Sequence, residues 1–218
     1  MAKLILFQGD SITDCKRNRE DIKSTGVGYA HMVKGQLGCE YPGVYEFINK
    51  GIGGNRIVDV YARIKSDIIN LKPDYMSLLI GVNDVWHELN GVHNGVSAVK
   101  FEKIYDMLIT EILEVLPNIK IMIMEPFVLE GPNTCATEQF PDRWEQFKNE
   151  VPLRAAAAKR IAEKYNLTYV TLQDKFNEAC EQAEVTYWLE DGVHPTPMGH
   201  WIIKNEWMKA FQEMEKKN

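Results

Sequence analysis

Two short segments near opposite ends of the chain carry residue types able to do nucleophilic chemistry. Gly9-Asp10-Ser11-Ile12-Thr13-Asp14 follows the apolar run Leu4-Ile5-Leu6-Phe7, and Asp191-Gly192-Val193-His194-Pro195 stands far downstream. A serine hydroxyl is a poor nucleophile at neutral pH. It needs an imidazole to take its proton and a carboxylate to hold that imidazole. Ser11, His194 and Asp191 are the parts of such a relay, and the Asp191-x-x-His194 spacing lets a turn bring the carboxylate onto the ring. Each segment also has a plainer reading. A Gly-Asp-Ser run caps helical turns, and a His–Asp pair can ligate a metal. The other histidines, His31, His87, His93 and His200, show no metal-ligand spacing, so the metal reading is weak.

Two middle segments supply what the outer two lack. Asn49-Lys50-Gly51-Ile52-Gly53-Gly54-Asn55 lies between a strand-like and a helix-like block, where glycines expose backbone N–H groups suited to a developing oxyanion. A plain tight turn or a phosphate cradle would use similar residues, but the spacing matches neither the dinucleotide-binding fingerprint nor the P-loop. Gly81-Val82-Asn83-Asp84 follows the most apolar strand-like run, and Asn83 can aim a side-chain N–H into the same crevice; turn formation with helix capping is the alternative. The G-x-S-x-G elbow of another hydrolase fold is absent, because position 13 is Thr.

In order and spacing, these four segments resemble the SGNH branch of the GDSL hydrolases, and the match covers nearly the whole chain. The resemblance implies Ser11 as nucleophile, His194 as general base and Asp191 as its orienting acid. It implies an oxyanion hole made by the Ser11 and Gly54 backbone N–H groups and the Asn83 side chain, with Gly53 the alternative glycine. It implies no metal or organic cofactor. The fourth letter of the family motif is replaced by Ile12, a conservative apolar change. The fuller pattern (F-x-G-D-S-I-T-D-C, G-V-N-D-V-W and D-x-V-H-P) looks like that of bacterial acetyl-xylan and related carbohydrate esterases.

Elements that would position these residues alternate along the chain. Lys3–Gln8, Tyr45–Asn49, Tyr75–Ile80, Ile119–Glu125 and Thr168–Thr171 read as short buried strands. Helical stripes run over Ile57–Leu71 and Phe101–Leu116. Another covers Arg143–Tyr165, with Pro152 starting, kinking or interrupting it. A last helix, Pro197–Glu215, presents Trp201, Met208, Phe211 and Met214. Leu129–Trp144 reads as a long surface loop. Such alternation implies a three-layer α/β/α sandwich with a central parallel sheet, and the family resemblance makes it flavodoxin-like. Residues 1–218 read as one domain, with no composition break or internal repeat.

Composition narrows the function classes. The chain is 45% hydrophobic and 26% charged, with a net charge of −6, which argues against a nucleic-acid partner. No window approaches the roughly eighteen apolar residues of a membrane span. The N-terminal run is too short for a signal-peptide core, and the four cysteines form no C-x-x-C pair. The expected compartment is the cytoplasm. The apolar last helix offers a surface for a homo-oligomer.

The expected substrate is a small ester, an O-acetylated saccharide, with Asp10, Trp86 and Trp188 as candidate substrate contacts. Trp86 and Trp188 would serve as stacking walls, although packing alone also explains a tryptophan. A lipid esterase or thioesterase of the same fold, and a non-catalytic carbohydrate-binding relative, are the competing readings.

Overall fold

Residues 2–89 and 91–216 are described by the computed structural model. The apolar blocks form β1 (Lys3–Gly9), β2 (Tyr45–Asn49), β3 (Tyr75–Leu79), β4 (Lys120–Met124) and β5 (Thr168–Val170). The helices are α1 (Ser11–Asp14), α2 (Tyr29–Glu40), α3 (Ile57–Ala62), α4 (Ile64–Asp67), α5 (Val82–Trp86) and α6 (Ala98–Val115). They continue with α7 (Arg143–Lys164), α8 (Gln173–Cys180), α9 (Val185–Trp188) and α10 (Pro197–Lys216). All strands pair in parallel in the order β2-β1-β3-β4-β5, the flavodoxin-like order.

Each strand feeds two cores, because successive side chains point to opposite faces. Ile5 and Phe7 of β1, Tyr75 and Leu79 of β3, and Met122 and Met124 of β4 enter one core with α2, α8 and α10. Leu6, Met76, Leu78, Ile121 and Ile123 enter the other, with α3, α4, α6 and the second half of α7. Near-continuous apolar strands are what such double burial requires. Phe7 packs on Tyr29 and Trp207 at ring distances of 5.9 and 5.7 Å. Burial of a side chain of that size contributes roughly 1.5–3 kcal/mol.

Two helical expectations are corrected. The stripe over Ile57–Leu71 is not one helix but α3, α4 and a 3-10 turn at Ile69–Leu71. The break falls at Arg63, whose guanidinium donates to Asn55 Oδ1, the Lys50 carbonyl and Gln8 Oε1 at 2.9–3.0 Å and also pairs with Asp67. Pro152 lies inside α7 on its exposed face, and the helix runs through it. On α10 the inward tryptophan is Trp207, fully buried, whereas Trp201 is 54% exposed with Lys204 Nζ 4.2 Å from its ring centre.

In the strand order, β1 has β2 on one side and β3 on the other, so the chain leaves it in opposite directions. The crevice at the carboxyl end of such a reversal is where open α/β sheets bind ligands. Ser11, the Gly53-Gly54 loop and Asn83 all follow these three strands.

Candidate active site

Ser11 is presented by a tight passage from β1 into α1. A Cβ on Gly9 (φ 157°) would lie 2.3 Å from the Leu79 carbonyl oxygen and 2.5 Å from Thr13 Oγ1, so only glycine fits there. Asp10 then caps α1, accepting the Ile12 N–H at 3.0 Å. Its other oxygen is buried with no partner among the described residues. Burial pushes the Asp10 carboxyl up to about 7, against the opposing pull of the Ile12 N–H. At 1% exposure Asp10 is out of reach of any substrate, which corrects its expected role as a substrate contact.

Ser11 Oγ lies 2.9 Å from His194 Nε2, and His194 Nδ1 lies 2.8 Å from Asp191 Oδ2. Asp191 Oδ1 accepts the backbone N–H groups of Val193 and His194 at 2.9 and 2.8 Å, which fixes the carboxylate within its turn. That turn is closed by the Glu190 N–H donating to the His194 carbonyl at 2.8 Å and by a bridge between Leu189 and Pro195. Gly192 (φ 101°) sits so close to the Leu129–Thr134 loop that a Cβ would meet Thr134 Oγ1 at 2.4 Å. Burial alone would raise the Asp191 carboxyl, but the His194 ring and the two N–H donors outweigh it and hold it well below the usual carboxylate range. The Asp191 hydrogen bond raises the His194 ring above its ordinary value, partly opposed by burial.

The two middle segments converge on the same crevice. Gly53 donates its N–H to Asp14 Oδ2 at 3.1 Å, so Asp14 ties this loop to α1. Arg19 Nη2 holds the same Asp14 oxygen at 2.6 Å. Asn83 is buried at the second position of α5 and donates one amide N–H to the Asn55 carbonyl at 3.2 Å. A side-chain amide carries two such donors. Its neighbour Asp84 is fully buried, accepts the Ile57 N–H at the start of α3, and is raised well above the carboxylate range by burial.

The two tryptophans separate. Trp86 is half-buried, with its ring 6.0 Å from that of His194 and 5.5 Å from Phe147. Trp188 packs against the core beneath α10 and lines a groove on the α8–α10 side, not the cavity at Ser11. It is not a wall of this site. The Ser11 cavity has a volume of about 370 Å³ and is lined by Ile12, Cys15, Lys16, Val27, Glu190 and His200 besides Ser11 and His194.

His200 is buried behind the cavity, which lowers its ring to about 4 and leaves it neutral. Its Nδ1 accepts the Tyr29 N–H at 3.2 Å, so the ring proton sits on Nε2, facing Cys15 Sγ at 3.2 Å. Sequence reasoning does not single out this pair, nor Asn133, which donates Nδ2–H to Asp191 Oδ2 at 3.0 Å. Asn133 lies in the loop after β4, where no periodicity marks it. The nearest signal is the Gly131-Pro132-Asn133-Thr134 turn chemistry, which says where the chain bends but not what it meets.

Comparison with known proteins gives the family of the chain. The chain is 35% identical over 213 residues to the acetylxylan esterase of Geobacillus stearothermophilus, covering 95% of this chain and 93% of that protein. A crystal structure of that esterase superposes with a TM-score of 0.81 at 33% identity, covering 95% and 93% of the two chains. A protein of Parabacteroides merdae, assigned as a GDSL-like lipase, superposes with a TM-score of 0.87 at 32% identity over 96% of each chain. Residues 7–202 match the model of the GDSL-like lipase/acylhydrolase family. The chain belongs to that family and is a carboxylic-ester hydrolase.

Proposed function

We propose that the protein is a serine acetylesterase acting on O-acetylated saccharides through an acyl-enzyme. The observation that carries the reading is the continuous pair of short contacts from Ser11 Oγ to His194 Nε2 and from His194 Nδ1 to Asp191. His194 takes the Ser11 proton as Oγ attacks the ester carbonyl. The tetrahedral oxyanion is met by the Ser11 and Gly54 N–H groups and the Asn83 amide. Gly54 is favoured over Gly53 because the Gly53 N–H already serves Asp14. Collapse breaks the bond to the alcohol oxygen, which takes the proton from His194. Water then attacks the acyl-Ser11 ester with His194 again as base.

The saccharide preference rests on the likeness to the acetylxylan esterase, and the small acyl group on the same comparison. The four cysteines are free, in keeping with action in the cytoplasm, and no helix among the described residues is long and apolar enough to cross a membrane. A p-nitrophenyl ester series tests the reading. Activity should be greatest on the acetate and fall steeply with chain length, and Ser11→Ala should abolish turnover without unfolding the protein. A maximum at eight carbons or more would instead make it a lipid acyl esterase, and near-full activity of Ser11→Ala would remove Ser11 as nucleophile.

A further inference from the structure

We infer that the cavity between α1 and the His194–His200 segment is the subsite for the alcohol half of the ester, a sugar ring, with Lys16 and Glu190 as the groups that grip its hydroxyls. The inference rests on the acetylesterase reading above and adds where the sugar lies. Ser11 and His194 both line the cavity, whereas Gly54 and Asn83 do not. With the carbonyl oxygen turned toward those donors, the leaving oxygen must stay beside His194 Nε2 to take its proton. What that oxygen carries therefore enters the cavity.

Size and chemistry agree. About 370 Å³ is far more than an acetyl methyl fills, since a single water occupies roughly 30 Å³. The walls mix apolar faces (Val27, Pro195, Pro197) with charge at the rim. Lys16 and Glu190 are exposed, and neither side chain makes a hydrogen bond or ion pair within the protein among the described residues. A pyranose ring offers C–H faces and hydroxyls to such a surface, while a long acyl chain would bury alkyl carbon against two charges at desolvation cost. The backbone is also held in an uncommon shape here. Cys15 and Lys16 are consecutive non-glycine residues in the left-handed region, at φ 36° and 59°. Such conformations gather at ligand sites when the surroundings enforce them. The His200 Nε2–H to Cys15 contact and the close fit of Gly28 against both residues supply that enforcement.

The test compares Lys16→Ala and Glu190→Ala with the parent chain on acetylated xylobiose and on p-nitrophenyl acetate, whose leaving group has no hydroxyls. The ratio of kcat/KM for the sugar ester to that for the aryl ester should fall about tenfold in each variant, chiefly through KM, as expected for one lost hydrogen bond to a charged group. Free xylobiose should inhibit the parent competitively and the variants about tenfold more weakly, by the same loss. An unchanged ratio in both variants overturns the subsite. So does a variant gaining on p-nitrophenyl octanoate relative to the acetate, which would put the acyl chain in this cavity. A parent chain that hydrolyses neither ester overturns the acetylesterase reading, and the subsite with it.

Discussion

Asn133 donates its amide to Asp191 Oδ2, the same oxygen that faces His194 Nδ1. This joins the loop after β4 to the turn before α10, so the carboxylate is held from two directions. Asn133 is exposed and its replacement leaves no buried cavity. Asn133→Ala should therefore leave Tm nearly unchanged, within about 0.5 kcal/mol of stability, while kcat/KM drops about tenfold through a less well oriented Asp191–His194 pair. Steady-state kinetics beside a thermal melt separate the two effects. A fall in Tm that matched the loss of activity would make Asn133 a structural residue only.

In the proposed mechanism Asn83 supplies an oxyanion donor, and its other N–H is anchored on the Asn55 carbonyl. Asn83→Ala should lower kcat by about 10²–10³-fold, the usual cost of one such donor, with little change in KM. A KM effect of similar size with kcat intact would mean that Asn83 binds the ground state instead.

The pH profile follows from the Asp191–His194 pair. In the proposed mechanism His194 is the base and must be neutral to act, and Asp191 raises its ring above the ordinary 6.5. On lowering pH, kcat/KM should fall through a midpoint above 6.5. Asp191→Asn removes the main cause of the rise, so the midpoint should move down while kcat drops by about 10⁴-fold. A midpoint that stayed put in Asp191→Asn would show that another group controls the limb.

Asp10 gives a stability prediction of opposite sign to the usual carboxylate. Its folded value, about 7, stands above the model-peptide value of 3.8. The native state therefore holds a proton that the unfolded chain releases between those values, and stability falls as pH rises through this window. Asp10→Asn keeps a capping side chain without the charge. Relative to the parent it should gain stability from about pH 4 to 7 and level off above, by as much as a few kcal/mol at 1.36 kcal/mol per pKa unit. Urea unfolding at pH 4.5 and pH 8 would decide it, and a constant difference at the two pH values would count against the assignment.

The features legible in the sequence share one property, that their cause is local. The three central strands stand out because both faces are buried, leaving near-continuous apolar blocks such as Ile121–Met124. Ser11, His194 and Asp191 stand out because the proposed chemistry demands those residue types. Helix α2 does not, because Gly35 and Gly38 interrupt a sparse stripe of Tyr29, Ala30, Val33 and Leu37. The break at Arg63 depends on partners from three other segments, Gln8, Lys50 and Asn55. Trp188 shows the same limit at the site: nearness in sequence to Asp191 says nothing of which side of the turn its ring takes. Burial of Asp10 beneath α1, and the Asn133 contact, likewise arise only once distant loops have met.

The hydrogen bond between Ser11 and His194 joins positions 183 residues apart. A contact of that span closes nearly the longest loop the chain can form, and long-range contacts slow folding. In the proposed mechanism Ser11 therefore stays inert until strand β1 and the segment before α10 have come together across the sheet. On refolding, the return of ester hydrolysis should lag behind the return of helical ellipticity, making the reaction itself a clock for the last assembly step.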